Sequence, residues 1–233
     1  MTGICRAARH DLLRLGGAGW TQLLHDRPDL AAMSGIRLWA AREYPVMSRR
    51  FQPGDLPELM PVAVALPLAE GRLRLAFQVA EDAVASAGPP PLLRTALDGG
   101  MPGQMPAAWE QQAGRVLAEG VRHGIEPRLF GSLMWQCVTG LPYLRESSDL
   151  DLIWLAADAG AIARLPALAA SLERLDAGEG PKLDGEFIVP GAGAVNWREF
   201  AAANDSDEIL VKTETTTVLM MRGRFLAAMA PTC

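Results

Sequence analysis

Two acidic side chains near the middle of this 233-residue chain are spaced for metal-assisted chemistry. Asp149 and Asp151 begin the segment DLDLIWL at 149–155, whose apolar residues predict a strand, and residues two apart on a strand point to the same side. Two ionised carboxylates about 5 Å apart repel by roughly 3 kcal/mol at an effective dielectric near 20. A divalent cation between them would offset that cost, so the pair predicts a site for Mg²⁺ or Mn²⁺.

A Gly-Ser pair earlier in the chain is suited to holding a phosphate. Gly131 and Ser132 follow the short apolar run Leu129-Phe130, and the pattern predicts a strand, a tight turn and a helix. Glycine lets the backbone approach a phosphate closely, and the N–H groups at a helix start favour an anion. By itself, an Asp-x-Asp pair is more often part of a solvated loop. Both motifs together, in this order, predict phosphoryl or nucleotidyl transfer.

A third carboxylate and a lysine are candidates for completing the site. Asp184 and Glu186 are again two residues apart, within the predicted strand 182–189, and either could join the pair. We favour Glu186, because apolar residues follow it as in a buried strand. The alternative is a solvent-facing turn at Asp184-Gly185. Lys212 lies in an apolar run, where a lysine requires a phosphate or a carboxylate as its partner.

Two adjacent arginines form a separate candidate site. Arg49 and Arg50 follow a predicted short strand at 45–47. Adjacent arginines in a loop usually face water. They also suit a phosphate or an acidic protein partner, because a guanidinium group binds such oxygens through a two-pronged pair of hydrogen bonds.

Composition and charge exclude several classes of protein. Apolar residues make up 49% and charged residues 21%, as in ordinary globular proteins. The sequence has no apolar run of about 18 residues and no signal-peptide pattern, which predicts no membrane span and no secretion. Its three cysteines fit neither a disulfide framework nor a zinc site, so we expect the cytoplasm. The net charge of −5 falls in the second half, which argues against extended nucleic-acid binding.

The remaining patterns predict two regions of mixed helix and strand. A stretch rich in glycine and proline at 88–106 predicts the boundary between them. Strands are predicted at 36–41, 61–68, 72–79 and 182–189, and helices at 81–87, 107–123 and 159–175.

Several short segments, spread over about 9–215, carry a family resemblance. They are HDLL at 10–13, PVMSRR at 45–50, GSLMWQ at 131–136, TGL at 139–141, YL at 143–144, SDLDL at 148–152, DGE at 184–186 and WRE at 197–199. These segments resemble the malonate decarboxylase holo-[acyl-carrier-protein] synthase (phosphoribosyl-dephospho-CoA transferase) family of the nucleotidyltransferase superfamily.

The resemblance implies a fold and a reaction. The fold is α/β (α+β): a nucleotidyltransferase-like catalytic domain with a mixed sheet and flanking helices at 93–233, after a small α/β domain at 1–88. That first domain would bind the substrate or the carrier. The reaction moves the phosphoribosyl-dephospho-CoA group of 2′-(5″-triphosphoribosyl)-3′-dephospho-CoA to a serine of the apo acyl carrier protein subunit of malonate decarboxylase. Pyrophosphate is released, and Asp149 and Asp151 would hold the metal.

Two other functions are compatible with the same motifs. The first is adenylyl transfer to a small molecule or a protein by another magnesium-dependent nucleotidyltransferase. The second is a non-catalytic binding module that keeps the fold. The intact carboxylate pair and Gly-Ser turn argue against the second.

Overall fold

The computed structural model of the chain describes residues 7–71, 73–99, 105–178 and 180–228. The chain divides into two compact units, Met1–Pro90 and Pro91–Cys233. No helix within the described ranges is both long enough and apolar enough to cross a membrane.

The described part of the first unit contains one antiparallel sheet of five strands and three helices. In chain order the elements are β1 (Leu12–Leu15), α1 (Gly17–Asp26), α2 (Pro28–Ala31), α3 (Ser34–Ala41), β2 (Val46–Ser48), β3 (Met60–Ala65), β4 (Arg74–Val79) and β5 (Val84–Gly88). The strand order is β4-β3-β2-β1-β5. The strands predicted at 61–68 and 72–79 correspond to β3 and β4, which pair as a hairpin from Met60↔Val79 to Ala65↔Arg74.

Two predictions for the first unit are wrong. The predicted strand at 36–41 belongs to α3, where Ile36 and Trp39 are fully buried three residues apart, as on one face of a helix. A short apolar run of this length does not distinguish a helix from a strand. The predicted helix at 81–87 has only one helical turn before β5 begins. β5 forms because β1 supplies its hydrogen-bonding partner, which lies about 70 residues earlier in the chain.

The second unit contains a mixed sheet with helices between its strands. In chain order the elements are α4 (Leu93–Leu97), α5 (Ala107–Arg122), β6 (Arg128–Leu129), α6 (Gly131–Thr139), β7 (Leu150–Leu155), α7 (Ala159–Asp176), β8 (Leu183–Val189), β9 (Gly193–Asn196), α8 (Trp197–Ala202), β10 (Glu208–Lys212), β11 (Thr217–Met221) and α9 (Arg222–Leu226). The predicted helices at 107–123 and 159–175 and the predicted strand at 182–189 are confirmed. The helix α4 was not predicted, because it lies in the stretch interpreted as a linker.

The order of the described strands in this sheet is β11-β10-β9-β8-β7-β6. Only β7 and β8 are parallel among these neighbours, and α7 connects them, so the sheet is mixed and the predicted α+β fold is confirmed. β7 and β8 are central strands, and the candidate carboxylates lie on them or next to them.

A series of aromatic contacts packs against one face of β7 and β8. Trp154 of β7 meets Phe187 of β8 edge to face at 5.6 Å, Phe187 meets Phe200 of α8 at 5.3 Å, and Phe200 meets Phe225 of α9 at 6.2 Å. All four side chains are fully buried. Because strand side chains alternate between faces, this packing places the carboxylate of Asp151 on the opposite side. A shift of β7 by one residue would turn the carboxylate of Asp151 into this aromatic core.

Candidate active site

The Gly-Ser turn lies directly against Asp151. The predicted strand, turn and helix are confirmed as β6, Gly131 and α6. Gly131 has a φ of +55°, and a Cβ added there would lie 1.9 Å from Oδ2 of Asp151. The backbone N–H of Phe130 also donates to the carbonyl oxygen of Asp151 at 3.0 Å. Only glycine fits this position, and its absent side chain leaves the backbone at the start of α6 beside a carboxylate.

A buried glutamine fixes the loop that connects α6 to β7. Oε1 of Gln136 accepts hydrogen bonds from the backbone N–H groups of Tyr143 and Leu144, both at 3.0 Å. This loop has no regular structure of its own, and it ends at the half-buried Asp149. β7 begins at Leu150, so the prediction that Asp149 lies on the same strand as Asp151 is wrong by one residue: Asp149 belongs to the loop. Gln136 ties the middle of this loop to the helix that carries the Gly-Ser turn. Sequence reasoning gave Gln136 no role; its only signal was its place in the segment GSLMWQ.

The register between β7 and β8 brings a further carboxylate to the site. The strands are parallel, and Asp151 pairs with Asp184 while Ile153 pairs with Glu186. Paired residues of neighbouring strands point to the same face, so Asp184 lies next to Asp151. Oδ1 of Asp184 accepts from Nδ2 of Asn196 on β9 at 3.0 Å, which holds the carboxylate in place.

The segment Asp184-Gly185 is not a turn. Gly185 is buried in the interior of β8, where a Cβ would lie 1.9 Å from the carbonyl oxygen of Leu152. The alternative interpretation of a solvent-facing turn is therefore wrong. The glycine allows β8 to approach β7 closely beside the carboxylates.

Glu186, our preferred third carboxylate, is engaged by Lys212. Glu186 is only 8% exposed, and Nζ of Lys212 on β10 lies 2.7 Å from its Oε1. The structure thus provides Lys212 with a carboxylate partner, one of the two kinds that the sequence left open. Since Asp184 faces Asp151 and Glu186 pairs with a lysine, the geometry favours Asp184 as the third carboxylate. A catalytic role for Glu186 stays a prediction.

Arg198 is a cation near the carboxylates that sequence reasoning did not select. Its guanidinium group donates to the carboxylate of Asp176, with Nη2 and Oδ1 at 2.8 Å, and to the carbonyl oxygen of Leu183. The pKa of Arg198 is raised, chiefly by the bonds to Asp176 and further by the charges of Asp184 and Asp149. Arg198 therefore reduces the repulsion between acidic groups at this edge of the site.

The donor atoms present suit a metal ion that arrives with its substrate. Within the described ranges, no group of three or more histidine, cysteine, aspartate or glutamate side chains is arranged to hold a metal ion. A site with fewer protein ligands is typical of Mg²⁺, which usually binds through one or two carboxylates plus substrate phosphates. Asp149 and Asp151 can supply those carboxylates, and Asp151 lies against Gly131 at the start of α6.

Isosteric amides at positions 184 and 186 should separate the two candidate carboxylates. We expect Asp184→Asn to lower kcat about tenfold to a hundredfold, because it removes a charge beside Asp151. We expect Glu186→Gln mainly to lower the free energy of unfolding, by about 2 kcal/mol, because it leaves Lys212 without its ionic partner. Steady-state kinetics measures kcat, and urea unfolding measures the free energy of unfolding, for both variants. A large loss of kcat in a stable Glu186→Gln variant that clearly exceeds the loss in Lys212→Met would restore Glu186 as the third carboxylate.

In the first unit, Arg49 is bonded to a carboxylate. Nη1 and Nη2 of Arg49 donate to Asp55 at 2.6 and 2.8 Å, and these side chains are only 15% and 11% exposed. Nε of Arg49 also donates to the carbonyl oxygen of Val62 at 3.2 Å. This geometry favours a structural role for Arg49, which anchors the segment after β2. Binding of a phosphate or an acidic partner by Arg49 or by the half-buried Arg50 stays a prediction.

Removing Arg49 should destabilise the protein far more than removing an exposed arginine. We expect Arg49→Met to lower the free energy of unfolding by roughly 3 kcal/mol, because Asp55 would stay buried without its partner. Arg27→Met is the matched control, since the Arg27–Asp29 pair is exposed and such pairs contribute about 0–1 kcal/mol. Urea unfolding near neutral pH measures both variants. Equal losses would show that the Arg49–Asp55 pair has no special structural role.

The same pair should make stability depend on pH in the acid range. The bonds from Arg49 lower the pKa of Asp55, whose ordinary value is about 3.9. The pair therefore makes its full contribution to the free energy of unfolding at pH values above the ordinary pKa. This contribution is lost as the pH falls through the lowered pKa of Asp55 in the folded state. In Asp55→Asn this part of the acid-induced loss should be absent.

Both units match models of one protein family. Residues 8–90 match the N-terminal domain of phosphoribosyl-dephospho-CoA transferase MdcG, and residues 96–223 match its C-terminal domain. Together these matches define the class as a two-domain transferase. The chain belongs to the phosphoribosyl-dephospho-CoA transferase family, as the resemblance of its short segments predicted.

Individual relatives support this assignment over nearly the whole chain. A phosphoribosyl-dephospho-CoA transferase of Bradyrhizobium diazoefficiens is 35% identical, over 97% of this chain and 98% of its own. One of Xanthomonas euvesicatoria pv. vesicatoria is 35% identical over 82% of this chain and 85% of its own. One of Xanthomonas campestris pv. campestris is 30% identical over 93% and 95%. No solved structure matches the chain.

Proposed function

We propose that the chain transfers the phosphoribosyl-dephospho-CoA group of 2′-(5″-triphosphoribosyl)-3′-dephospho-CoA to a serine of the apo acyl carrier protein subunit of malonate decarboxylase. Pyrophosphate is the second product. One observation carries the proposal: the glycine turn at the start of α6 lies against Asp151, where a Cβ would overlap the carboxylate. The N–H groups at the start of α6 would then bind oxygens of the same triphosphate whose metal ion Asp151 would hold. Family membership supplies the substrate class, and the cysteine usage favours the cytoplasm.

The reaction is an in-line displacement at phosphorus. The serine oxygen of the carrier forms a bond to the α-phosphorus of the donor, the bond from that phosphorus to the pyrophosphate oxygen breaks, and the serine proton passes to solvent water. The N–H groups at Gly131 and Ser132 hold the departing pyrophosphate. Mg²⁺ or Mn²⁺ on Asp149 and Asp151 would neutralise charge on the phosphoryl oxygens and lower the pKa of the hydroxyl.

The surrounding residues position these groups. Gln136 holds the loop before Asp149, and Asn196 holds Asp184 opposite Asp151. We retain Lys212 as a proposed contact for a phosphate oxygen, with Glu186 setting the position of its ammonium group. Arg49 and Arg50 remain candidates for a phosphate or for the acidic surface of the carrier. For Arg49, such a contact would have to replace its existing bonds to Asp55.

A pyrophosphate-release assay distinguishes the proposal from the two alternatives. The protein is mixed with Mg²⁺ and apo carrier, and either the triphosphoribosyl donor or ATP is added at equal concentration. We expect release with the donor only, and only when the carrier is present. Release from ATP would favour adenylyl transfer. No release from either nucleotide, with a folded protein, would favour a binding module.

A further inference from the structure

Three exposed apolar side chains form a patch on the hairpin of β10 and β11. Leu210, Leu219 and Met221 are 41%, 62% and 57% exposed, and we refer to them as the hairpin patch. Leu210 lies opposite Leu219 in the strand pairing, and Met221 is two residues further along β11, so the three side chains adjoin. Single apolar residues on a surface are common, whereas adjoining ones mark a surface for interaction.

The strand register places the hairpin patch on the face of the sheet that carries the candidate carboxylates. Side chains of paired residues on neighbouring strands share a face, and so do residues two apart along one strand. Lys212 of β10 is linked in this way through β9 to β8, so it shares its face with Glu186 and Asp184. Its Nζ reaches Oε1 of Glu186 at 2.7 Å across that face. Leu210 lies two residues before Lys212 and opposite Leu219, so the patch belongs to the same face.

The hairpin patch lies within reach of a protein that is bound over the carboxylates. Neighbouring strands are about 4.8 Å apart, so Leu210 on β10 is about 14 Å from Asp151 on β7 across the strands, and Leu219 on β11 is about 19 Å away. A protein–protein interface of ordinary size covers about 800 Å² of each partner, which corresponds to a disc with a radius of about 16 Å. Such an interface, centred on the carboxylates, extends to β10 and to the near side of β11.

Hydrogen bonds hold the hairpin in shape. At its turn, the backbone N–H of Thr213 donates to the carbonyl oxygen of Thr216 at 2.9 Å. On the inner strand, the backbone N–H of Leu210 donates to Oε1 of Glu199 at 2.6 Å. A surface that is already ordered loses less conformational entropy when a partner binds. The patch therefore offers a preformed apolar contact.

We propose that the carrier subunit docks on the hairpin patch, an inference that rests on the proposed function. The reaction requires a serine of a protein to reach the metal held at Asp149 and Asp151, so the acceptor must cover this face of the sheet. The patch indicates that its contact extends from the carboxylates towards β11. An exposed strand pair suits a protein better than a small ligand, because small ligands bind in concave sites. The docking surface of the carrier must itself be apolar, because apolar side chains gain from contact with apolar groups.

Steady-state kinetics of the full-length protein at varied carrier concentration tests the docking surface. Leu219→Asp should raise the KM for the carrier by about tenfold or more, because it places a carboxylate in an apolar contact. The KM for the donor should not change. Leu219→Lys should raise the KM for the carrier as well, which distinguishes loss of the apolar contact from repulsion between like charges. Val121→Asp is the matched control, since Val121 is 53% exposed on α5 of the same unit, and it should behave like the wild type.

Three results would overturn the docking surface. The first is an unchanged KM for the carrier in Leu219→Asp. The second is a raised KM for the donor alone, which would assign the patch to the donor. The third is a wild-type dimer that Leu219→Asp dissociates without any change in the KM for the carrier, which would assign the patch to a second copy of the chain. If Leu219→Asp does not fold, hydrogen exchange of the wild type decides. Apo carrier should slow exchange in peptides that span 208–221, and an unchanged rate there would contradict docking.

Binding of the apo carrier in the absence of donor separates this inference from the proposed function. Titration calorimetry measures the Kd of the carrier for the wild type and for Leu219→Asp. Binding that depends on Leu219, without any transfer to the carrier when donor and Mg²⁺ are added, would support the docking surface and contradict the reaction. Transfer by the wild type, combined with an equal Kd in Leu219→Asp, would overturn the docking surface and leave the reaction intact. Absence of both binding and transfer would overturn both.

Discussion

Replacing Asp149 or Asp151 with asparagine should lower kcat for transfer by about 10³-fold or more, while the protein stays folded. Asparagine keeps the shape of the side chain but removes the negative charge that would hold a metal ion beside the triphosphate. Thermal stability should not fall, because the substitution removes one of two like charges that lie two residues apart. Steady-state kinetics and thermal unfolding measure the two effects on the same samples.

An aspartate of the same unit serves as the control for this substitution. Asp205 is 71% exposed and pairs with Arg222 of α9. Asp205→Asn should leave kcat unchanged. Activity of Asp149→Asn or Asp151→Asn within about tenfold of the wild type would contradict the role assigned to this pair, since loss of one preorganised electrostatic group usually costs 10²–10³-fold.

The second large effect is expected from adding one methyl group at position 131. In Gly131→Ala the new Cβ would overlap the carboxylate of Asp151, so either the carboxylate or the start of α6 must move. We expect kcat to fall by about 10²-fold or more, because displacements near 1 Å at a reacting centre have costs of that size. The assay is transfer to the carrier at saturating donor.

A second glycine serves as a control that distinguishes the effect of backbone strain from the effect of displacing the Asp151 carboxylate. Gly99 also has a positive φ, +79°, but a Cβ there would meet nothing within 4 Å. Gly99→Ala and Gly131→Ala should both lose stability, by about 1–2 kcal/mol each from the left-handed backbone. Only Gly131→Ala should lose activity. Equal losses of activity in both variants would mean that the contact between Gly131 and Asp151 is not the cause.

Local patterns along the sequence were sufficient for much of the second unit. The long apolar periodicity of α7 and the apolar run after Asp151 predict their elements directly, since α7 is long and Leu152, Ile153 and Trp154 are buried. The helices and strands of the first unit were harder to predict. α3 is short and apolar, so its pattern also fits a strand. β5 is a strand because it pairs with β1, and a short stretch of sequence around β5 does not include that partner.

The candidate site shows the same division between local and distant information. Asp149, Asp151 and the Gly-Ser turn could be found because their spacing is a local signal. The choice between Asp184 and Glu186 depends on the register of β8 against β7, and the engagement of Glu186 depends on Lys212, 26 residues away. Arg198 was missed for a similar reason. It acts on carboxylates of other elements, so its only signal in the sequence was its place in the segment WRE at 197–199.

The most direct test of the central claim is the intact mass of the carrier. Purified apo carrier subunit of malonate decarboxylase is incubated with the triphosphoribosyl-dephospho-CoA donor, magnesium and this protein, and in parallel with Asp149→Asn and Asp151→Asn. We predict a mass gain equal to one phosphoribosyl-dephospho-CoA group with the wild type, and none with either variant in the same time. An unmodified carrier after incubation with folded wild-type protein would contradict the proposed reaction. A gain that persists in both variants would contradict the assigned site.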